Sequence, residues 1–335
     1  MNRKLQFLLF VCGAGVFAFF VSRIGTTALL ANAKQTGWMF VPLLFLTALM
    51  YLCAAGASWL MLAREPVRPP FWKLFSITWA GFSINFVTPL LNLGGEPYKI
   101  ATLSRWLGVR RATSFAVLYQ LVHSFGMVLT YLVAVLLALV VLPPQPGWRL
   151  PLAAAFVVLL GVVMVIFWAH RHGGLVHLLD LLHRLPGLQR LARRAEPHRE
   201  HLRLMDEEIT RFYHEDRGRF WLAVLLEFVG RSILMSEFYL ILLSVGVDMG
   251  LVRAYTLGTL ASLAGNLFFF VPYEIGAKEG SVYALLSLVG VDPALGIYAA
   301  LASRVRDLVG IGAGLGLIWT TGAPAAGKVP STEVA

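Results

Sequence analysis

The feature that most constrains this chain is the recurrence of apolar runs about as long as a bilayer is thick. A helix needs about 20 predominantly apolar residues to cross the hydrocarbon core. Such runs occur at Leu5 to Val21, Trp38 to Leu62, Ser114 to Leu142, Trp148 to Trp168, Phe220 to Val245 and Ala294 to Trp319. With 58% of its 335 residues hydrophobic and only 14% charged, the chain falls outside the usage of soluble domains. Trp38, Trp148, Trp168, Trp221 and Trp319 lie at run ends, where an interfacial aromatic belt is expected. The expected class is an all-α polytopic membrane protein.

Two further regions, Phe71 to Val109 and Leu251 to Gly290, are apolar but broken in the middle by Pro, Gly and Glu, and they echo each other. Pro89 is followed seven residues later by Glu96, and Pro272 seven residues later by Glu279. Gly94 and Gly95 in one copy are answered by Gly276 in the other, and Phe86-Val87 by Phe270-Val271. Gly/Pro-interrupted apolar segments at corresponding positions of two halves point to a transporter binding site. Each region could make two crossings or one re-entrant hairpin. Arg64, Arg68 and Lys73 precede the first and Arg105, Arg110 and Arg111 end it, so both of its ends belong in the cytoplasm and it reads as a hairpin.

Following the chain from there puts Pro143 to Pro146 outside and the loop from His170 to Arg219, with its ten arginines, inside. The second hairpin then enters from the outer face. The resulting expectation is six full transmembrane helices plus two re-entrant helical hairpins in an inverted repeat, with both termini cytoplasmic. Residues 1–142 form the first repeat (two spans, hairpin 71–109, one span). Residues 143–319 form the second (two spans enclosing loop 170–219, hairpin 251–290, one span), and 320–335 form a disordered cytoplasmic tail. Arg3, Lys4 and Ala31-Asn32-Ala33 resemble a signal peptide, but the apolar run ends too far from that Ala-x-Ala for cleavage, so the first span is expected to be retained.

The formal net charge of +10 reflects cytoplasmic Lys and Arg rather than nucleic acid, for which no motif is present. Cys12 and Cys53 lie inside apolar spans and imply neither disulfide nor metal. Seven of the eight histidines are in the 170–219 loop, at spacings that match no zinc site, and Gly174 to Leu185 there reads as an amphipathic helix on the membrane surface. Gly322 to Lys328 approaches a phosphate-binding loop, but Val329 stands where Ser or Thr is needed. No cofactor is expected.

Ionisable residues at membrane depth are functional hypotheses by default. They are Glu96, Lys99, Glu227, Arg231, Glu237, Glu274, Lys278, Glu279, Arg304, Arg306 and Asp307. At ~1.5 Å rise per residue, Arg231 and Arg304 lie about 16 and 15 Å into their spans. The plain reading is mutual pairing, Glu227 with Arg231 and Glu274 with Lys278 at i,i+4, and Arg304 with Asp307 at i,i+3. Glu96 before Pro97 also suits a helix N-terminus. The functional reading is that Gly94, Gly95 and Gly276, with Asn92 in the same break, expose half-helix N-termini to an anionic group. Lys99, Lys278, Arg304 and Arg306 would supply countercharge, and Arg231, near the bilayer centre, belongs to the same candidate substrate-binding set. Glu96 and Glu279 would orient those cations or carry protons as the substrate moves, and Asp307 is in the same candidate set. Gly310, Gly312, Gly314 and Gly316 are expected to pack the last span closely.

At Gly94-Gly95-Glu96-Pro97-Tyr98-Lys99, Pro272 to Gly280 and Arg304-Val305-Arg306-Asp307, the chain resembles the flippase-like transmembrane domain of lysylphosphatidylglycerol synthases. Among its members it is similar to stand-alone bacterial proteins, including hopanoid-associated ones. The resemblance covers nearly the whole chain and implies lipid translocation. Aminoacyl transfer belongs to a separate soluble domain in fused members, so no enzyme activity is expected here. Many relatives carry an arginine where this chain has Gln120 near His123.

The leading expectation is a flippase-like transporter for a lipid with an anionic or polar headgroup, in the bacterial inner membrane. The alternatives are an intramembrane lipid-modifying transferase and a non-transporting scaffold of a lipid-synthesis complex. Expected partners are a membrane phospholipid or isoprenoid-type lipid and no nucleic acid. Lipid-synthesis enzymes and a second copy of the chain are compatible with the same reading.

Overall fold

The computed structural model describes residues 34, 36–88, 94–142, 147, 149–172, 174–184, 189, 193–194, 196–267 and 277–321, and among them there is no strand. The expected span Leu5 to Val21, the two motif breaks with Asn92, Glu274 and Gly276, and residues 322–335 lie outside the described residues.

A single 3-10 turn, Gly37–Met39, leads into α1 (Phe40–Met61). Helix α2 (Phe71–Val87) starts directly after Pro69-Pro70 and stops at Thr88, whose extended φ −93°, ψ 116° is what a residue before proline must adopt. Helix α3 (Gly95–Val141) runs for 47 residues but is bent at Gly108, whose φ of 74° only glycine adopts cheaply. The expected boundary between the first hairpin and the following span is thus a kink in one helix rather than a loop.

After α4 (Arg149–His172) come two helices of the arginine-rich segment, α5 (Leu175–Arg184) and α6 (Arg199–Glu215). Asp206 of α6 holds the start of α5. Its Oδ1 accepts the N–H groups of Gly174 and Leu175 and its Oδ2 that of Val176, all at 2.9 Å, which satisfies donors that a helix start leaves orphaned. Leu179 of α5 is buried while Leu178 and Leu181 are exposed. The expected surface helix therefore gives one apolar face to α6, and only the flank carrying Leu178 and Leu181 remains for a membrane. Arg64 bridges Glu215 (3.1 Å) and Asp216 (3.0 Å), and Arg111 bridges Glu65 and Glu208 (both 2.7 Å), tying this segment to the bundle.

The expected single run from Phe220 to Val245 is interrupted. Helix α7 (Arg217–Met235) ends at Ser236, whose Oγ donates to the Ser232 carbonyl at 2.9 Å, and α8 (Glu237–Ser244) follows. Serine bonding back onto the preceding turn bends a helix. The chain closes with α9 (Leu251–Asn266), α10 (Ala277–Leu288), Gly290 at φ 74°, and α11 (Ala294–Leu317). Thr320 and Thr321 complete a 3-10 turn (Ile318–Thr321), with Thr321 buried and hydrogen-bonded to Tyr98 at 2.8 Å. These two residues belong to the folded bundle and correct the expectation that the tail begins at 320.

Among the described residues, a helix, a shorter helical arm, a glycine of positive φ and a long helix thus follow in that order twice. Helices α2 (17 residues), α9 (16) and α10 (12) are each shorter than the roughly 20 residues a full crossing needs. Packing is reciprocal: α1 lies along α7, α2 against α11, and α9 against the part of α3 beyond Gly108. Trp79 Nε1 of α2 donates to the Gly310 carbonyl of α11 at 2.9 Å, while Tyr131 of α3 meets Ser262 of α9 at 3.3 Å. By length and composition, Gly37–Met61, Gly95–Val141 and Arg149–Ala169 are able to cross a membrane. Helices α3, α7, α8, α10 and α11 carry the ionisable residues considered next.

Candidate functional site

The first motif is built on a close helix contact. A Cβ on Gly95 would collide with the Gly81 carbonyl oxygen, so glycine is what lets the start of α3 reach α2. Asn85 Oδ1 of α2 accepts the Gly95 N–H at 2.6 Å. That donor, expected to face an anion, is already used. Gly81 in turn leaves the space filled by the aliphatic stem of Lys99. Lys99 is buried, with Nζ 2.8 Å from Glu96 Oε1 and 4.5 and 4.8 Å above the rings of Phe82 and Tyr119. Such cation-π contacts stabilise an ammonium that has lost its water. Glu96 also lies in the first turn of α3, where a carboxylate suits the helix dipole.

Beyond Lys99, Tyr119 stacks on the His123 ring, centroids 5.9 Å apart, and His123 Nδ1 lies 2.7 Å from Oε2 of Glu227 on α7. The other Glu227 oxygen and the Tyr119 hydroxyl are buried without a hydrogen bond among the described residues.

The second cluster joins α8, α10 and α11. Glu279 Oε1, in the first turn of α10, is 2.5 Å from Arg304 Nε. Lys278 Nζ is 3.8 Å from Asp307, and Arg306 reaches Asp307 at 2.9 Å and Glu237 of α8 at 2.5 Å. Ser303 Oγ donates to the same Glu237 oxygen at 3.1 Å. Arg306 and Glu237 are both buried, a placement that only pairing makes tolerable.

The expected pairings within one helix are replaced by pairings between helices. Glu227 turns to His123 rather than Arg231, and Arg304 to Glu279 rather than Asp307. Each acid lies on the face its helix buries against a neighbour, so the nearest base belongs to that neighbour. The Glu274 to Lys278 pairing lies outside the described residues.

Of the candidate cations, Arg231 is the one that forms no ion pair among the described residues. It is half-buried on α7, and its field reaches Glu227 and Tyr119 of the first cluster and Tyr51 beside the second. Among the glycines of α11, Gly310 and Gly314 face Thr47 and Ser83, whereas Gly312 and Gly316 are exposed with nothing near them. One small-residue pair packs there, and the expectation for the other is corrected.

Tyr119, His123 and Ser303 enter the clusters although the sequence reading did not place them in the site, and Glu227 and Glu237, named there as ionisable residues at membrane depth, enter through partners it did not foresee. His123 had a visible signal, being the single histidine outside the 170–219 loop and inside an apolar run. Glu237 was visible as a charge inside an apolar run, but its partners, and the part played by Ser303, depend on which helices meet.

A bundle that is helical throughout the described residues, with three helices long and apolar enough to cross a membrane and ion pairs gathered beside the two motifs, points to a helical membrane protein. The family model for the lysylphosphatidylglycerol synthase TM region matches residues 5–314, and the chain belongs to that family. It is accordingly a lipid-related membrane protein. No curated protein and no solved structure matches the chain.

Proposed function

We propose that this protein moves a lipid with an anionic or polar headgroup, a phospholipid or an isoprenoid-type lipid, across the bacterial inner membrane. The observation that carries this reading is Arg231, the one candidate cation that forms no ion pair among the described residues. Holding a guanidinium at membrane depth is costly unless it has an anion to meet, and arginine suits the planar oxygens of a phosphate. Gly95, Glu96 and Lys99 on one side and Lys278, Glu279, Arg304, Arg306 and Asp307 on the other form the walls of this path. Gly94, Asn92 and Gly276 are assigned to the two breaks.

The architecture proposed with it is six crossing helices and two re-entrant hairpins in an inverted repeat, residues 1–142 and 143–319. The recurrence of Gly108 as Gly290 and the reciprocal packing of α2 on α11 and α9 on α3 support this arrangement. In it both termini face the cytoplasm, and the chain itself performs no covalent chemistry. A cysteine placed at Gln189, in the arginine-rich segment, should be modified by an impermeant reagent only after the cells are opened. Labelling in intact cells would reverse the topology.

In reconstituted vesicles, Arg231→Gln should slow translocation of an anionic phospholipid by about tenfold or more, the loss of one charge-assisted contact, with unchanged thermal stability. Unchanged lipid movement would favour a scaffold. A second reading, an intramembrane lipid-modifying transferase, is favoured by the orientation of His123 by Glu227, the arrangement of a general base. Mass spectrometry of lipids incubated with the protein separates it, since a transferase changes their mass and a transporter does not.

A further inference from the structure

We propose that the cleft between α3, α4, α9 and α10 seats an acyl chain of a phospholipid whose phosphate meets Lys278. The inference rests on the lipid-moving reading above and gives the tail of that lipid a place beside the charged path.

The cleft follows from how the helices pack. Helix α9 lies against both α3 and α10, and α4 lies along α3 without comparable packing against α9 or α10. A wedge of about 320 Å³ is left between them, within the size range of ligand sites. Val135 of α3, Leu152 and Ala155 of α4, Leu260 and Leu263 of α9 and Leu285 of α10 line it, and every described residue of its wall is apolar or glycine. Val135 and Leu260 are buried and Leu267 is exposed, so the cleft runs from the packed core to the surface of the bundle. Such a wall offers no hydrogen bond to a headgroup, and an apolar cavity stays free of water. Two of its walls, α3 and α4, are helices able to cross a membrane, which makes hydrocarbon the medium around it.

Hydrocarbon alone would not make this a site. Lipid tails are as apolar as leucine, so a chain that leaves the bilayer for the cleft gains only closer packing. Selectivity has to come from a headgroup contact, and α10 supplies one. Lys278 and Leu285 are seven residues apart, which puts them on one face of that helix and about 10 Å apart along its axis. Lys278 Nζ stands 3.8 Å from Asp307, too far for a hydrogen bond, and 24% of its side chain is accessible. An ammonium held in this way keeps donors for a phosphate oxygen. One face of α10 thus carries a cation near its start and meets a hydrocarbon-lined space two turns on, the layout of a single phospholipid.

The full chain in nonionic detergent, given phosphatidylglycerol with a diazirine on one acyl chain, tests this by photolysis and peptide mapping. Label should concentrate on Leu152, Ala155, Leu263 and Leu267, about tenfold above Val157 and Met164, which are exposed on the other side of α4. Excess unlabelled phosphatidylglycerol should clear the label from the cleft and leave it on Val157 and Met164. Equal labelling of the two sets, or cleft label that is not displaced, shows ordinary annular lipid and overturns the proposal. Lys278→Gln should raise the concentration needed for displacement about tenfold, the loss of one charge-assisted contact, and unchanged displacement overturns the proposal. Ala264→Phe puts a ring into the cleft and should abolish labelling there with unchanged thermal unfolding. Cleft label that persists in the folded variant overturns the proposal. Where a variant fails to fold, the wild-type map and its displacement decide the matter alone. Lipid movement by the same protein in vesicles is scored beside the map. Translocation without cleft labelling sinks the cleft and leaves the transport reading standing, and displaceable cleft labelling without translocation does the reverse.

Discussion

Arg304→Ala should lower stability by about 3 to 5 kcal/mol, the cost of leaving one member of a buried ion pair uncompensated. Its guanidinium Nε lies 2.5 Å from Glu279 Oε1, with side-chain exposures of only 9% and 20%. Glu279→Gln should cost less, because the amide oxygen still accepts from Arg304. A double-mutant cycle read by thermal unfolding in detergent should return an interaction energy of about 2 kcal/mol, within the range of contacting residues. A coupling near zero would show that α10 and α11 are not joined through this pair. The same variants assayed for lipid movement separate structure from transport. If Glu279→Gln keeps most of its stability and loses translocation, the pair lies on the lipid path. If stability and translocation fall together, the pair acts chiefly to hold the two helices.

Gly95→Ala should be the most damaging small substitution in the first motif. Its Cβ would meet a backbone carbonyl, that of Gly81, which has no rotamer with which to move aside. Relief requires α2 and α3 to part, which breaks the 2.6 Å bond from Gly95 N–H to Asn85 and opens the slot that holds Lys99. A cost of about 3 kcal/mol, the upper part of the range for overpacking, is expected. Gly312→Ala is the control. Gly312 is exposed in the middle of α11 with open space around it, so alanine should be neutral or add up to about 1 kcal/mol through helix propensity. Thermal unfolding of the two variants side by side decides the matter, and equal midpoints would contradict the close approach of α2 to α3.

What the sequence by itself determined was everything that depends on the local chain and on burial in an apolar solvent. Runs of bilayer length dictated helices, since backbone polar groups in lipid must be satisfied within the segment. Pro89 dictated the end of α2 at Thr88, and the spacing of Pro89 to Glu96, repeated from Pro272 to Glu279, marked the starts of α3 and α10. The ionisable residues were identifiable for the same reason, because any charge in such a run is conspicuous.

Partnership was not legible. Spacing along one helix suggests neighbours at i+3 and i+4, yet Glu227 meets His123 from 104 positions away and Arg306 meets Glu237 from 69. Those distances are set by which helix faces pack, and a pairing between helices leaves no periodic signal in either. The glycines of α11 show the same limit, for all four look equivalent in sequence and only Gly310 and Gly314 face another helix. Arg231 stands out only once the other cations have found their acids, and that accounting exists in the tertiary structure alone.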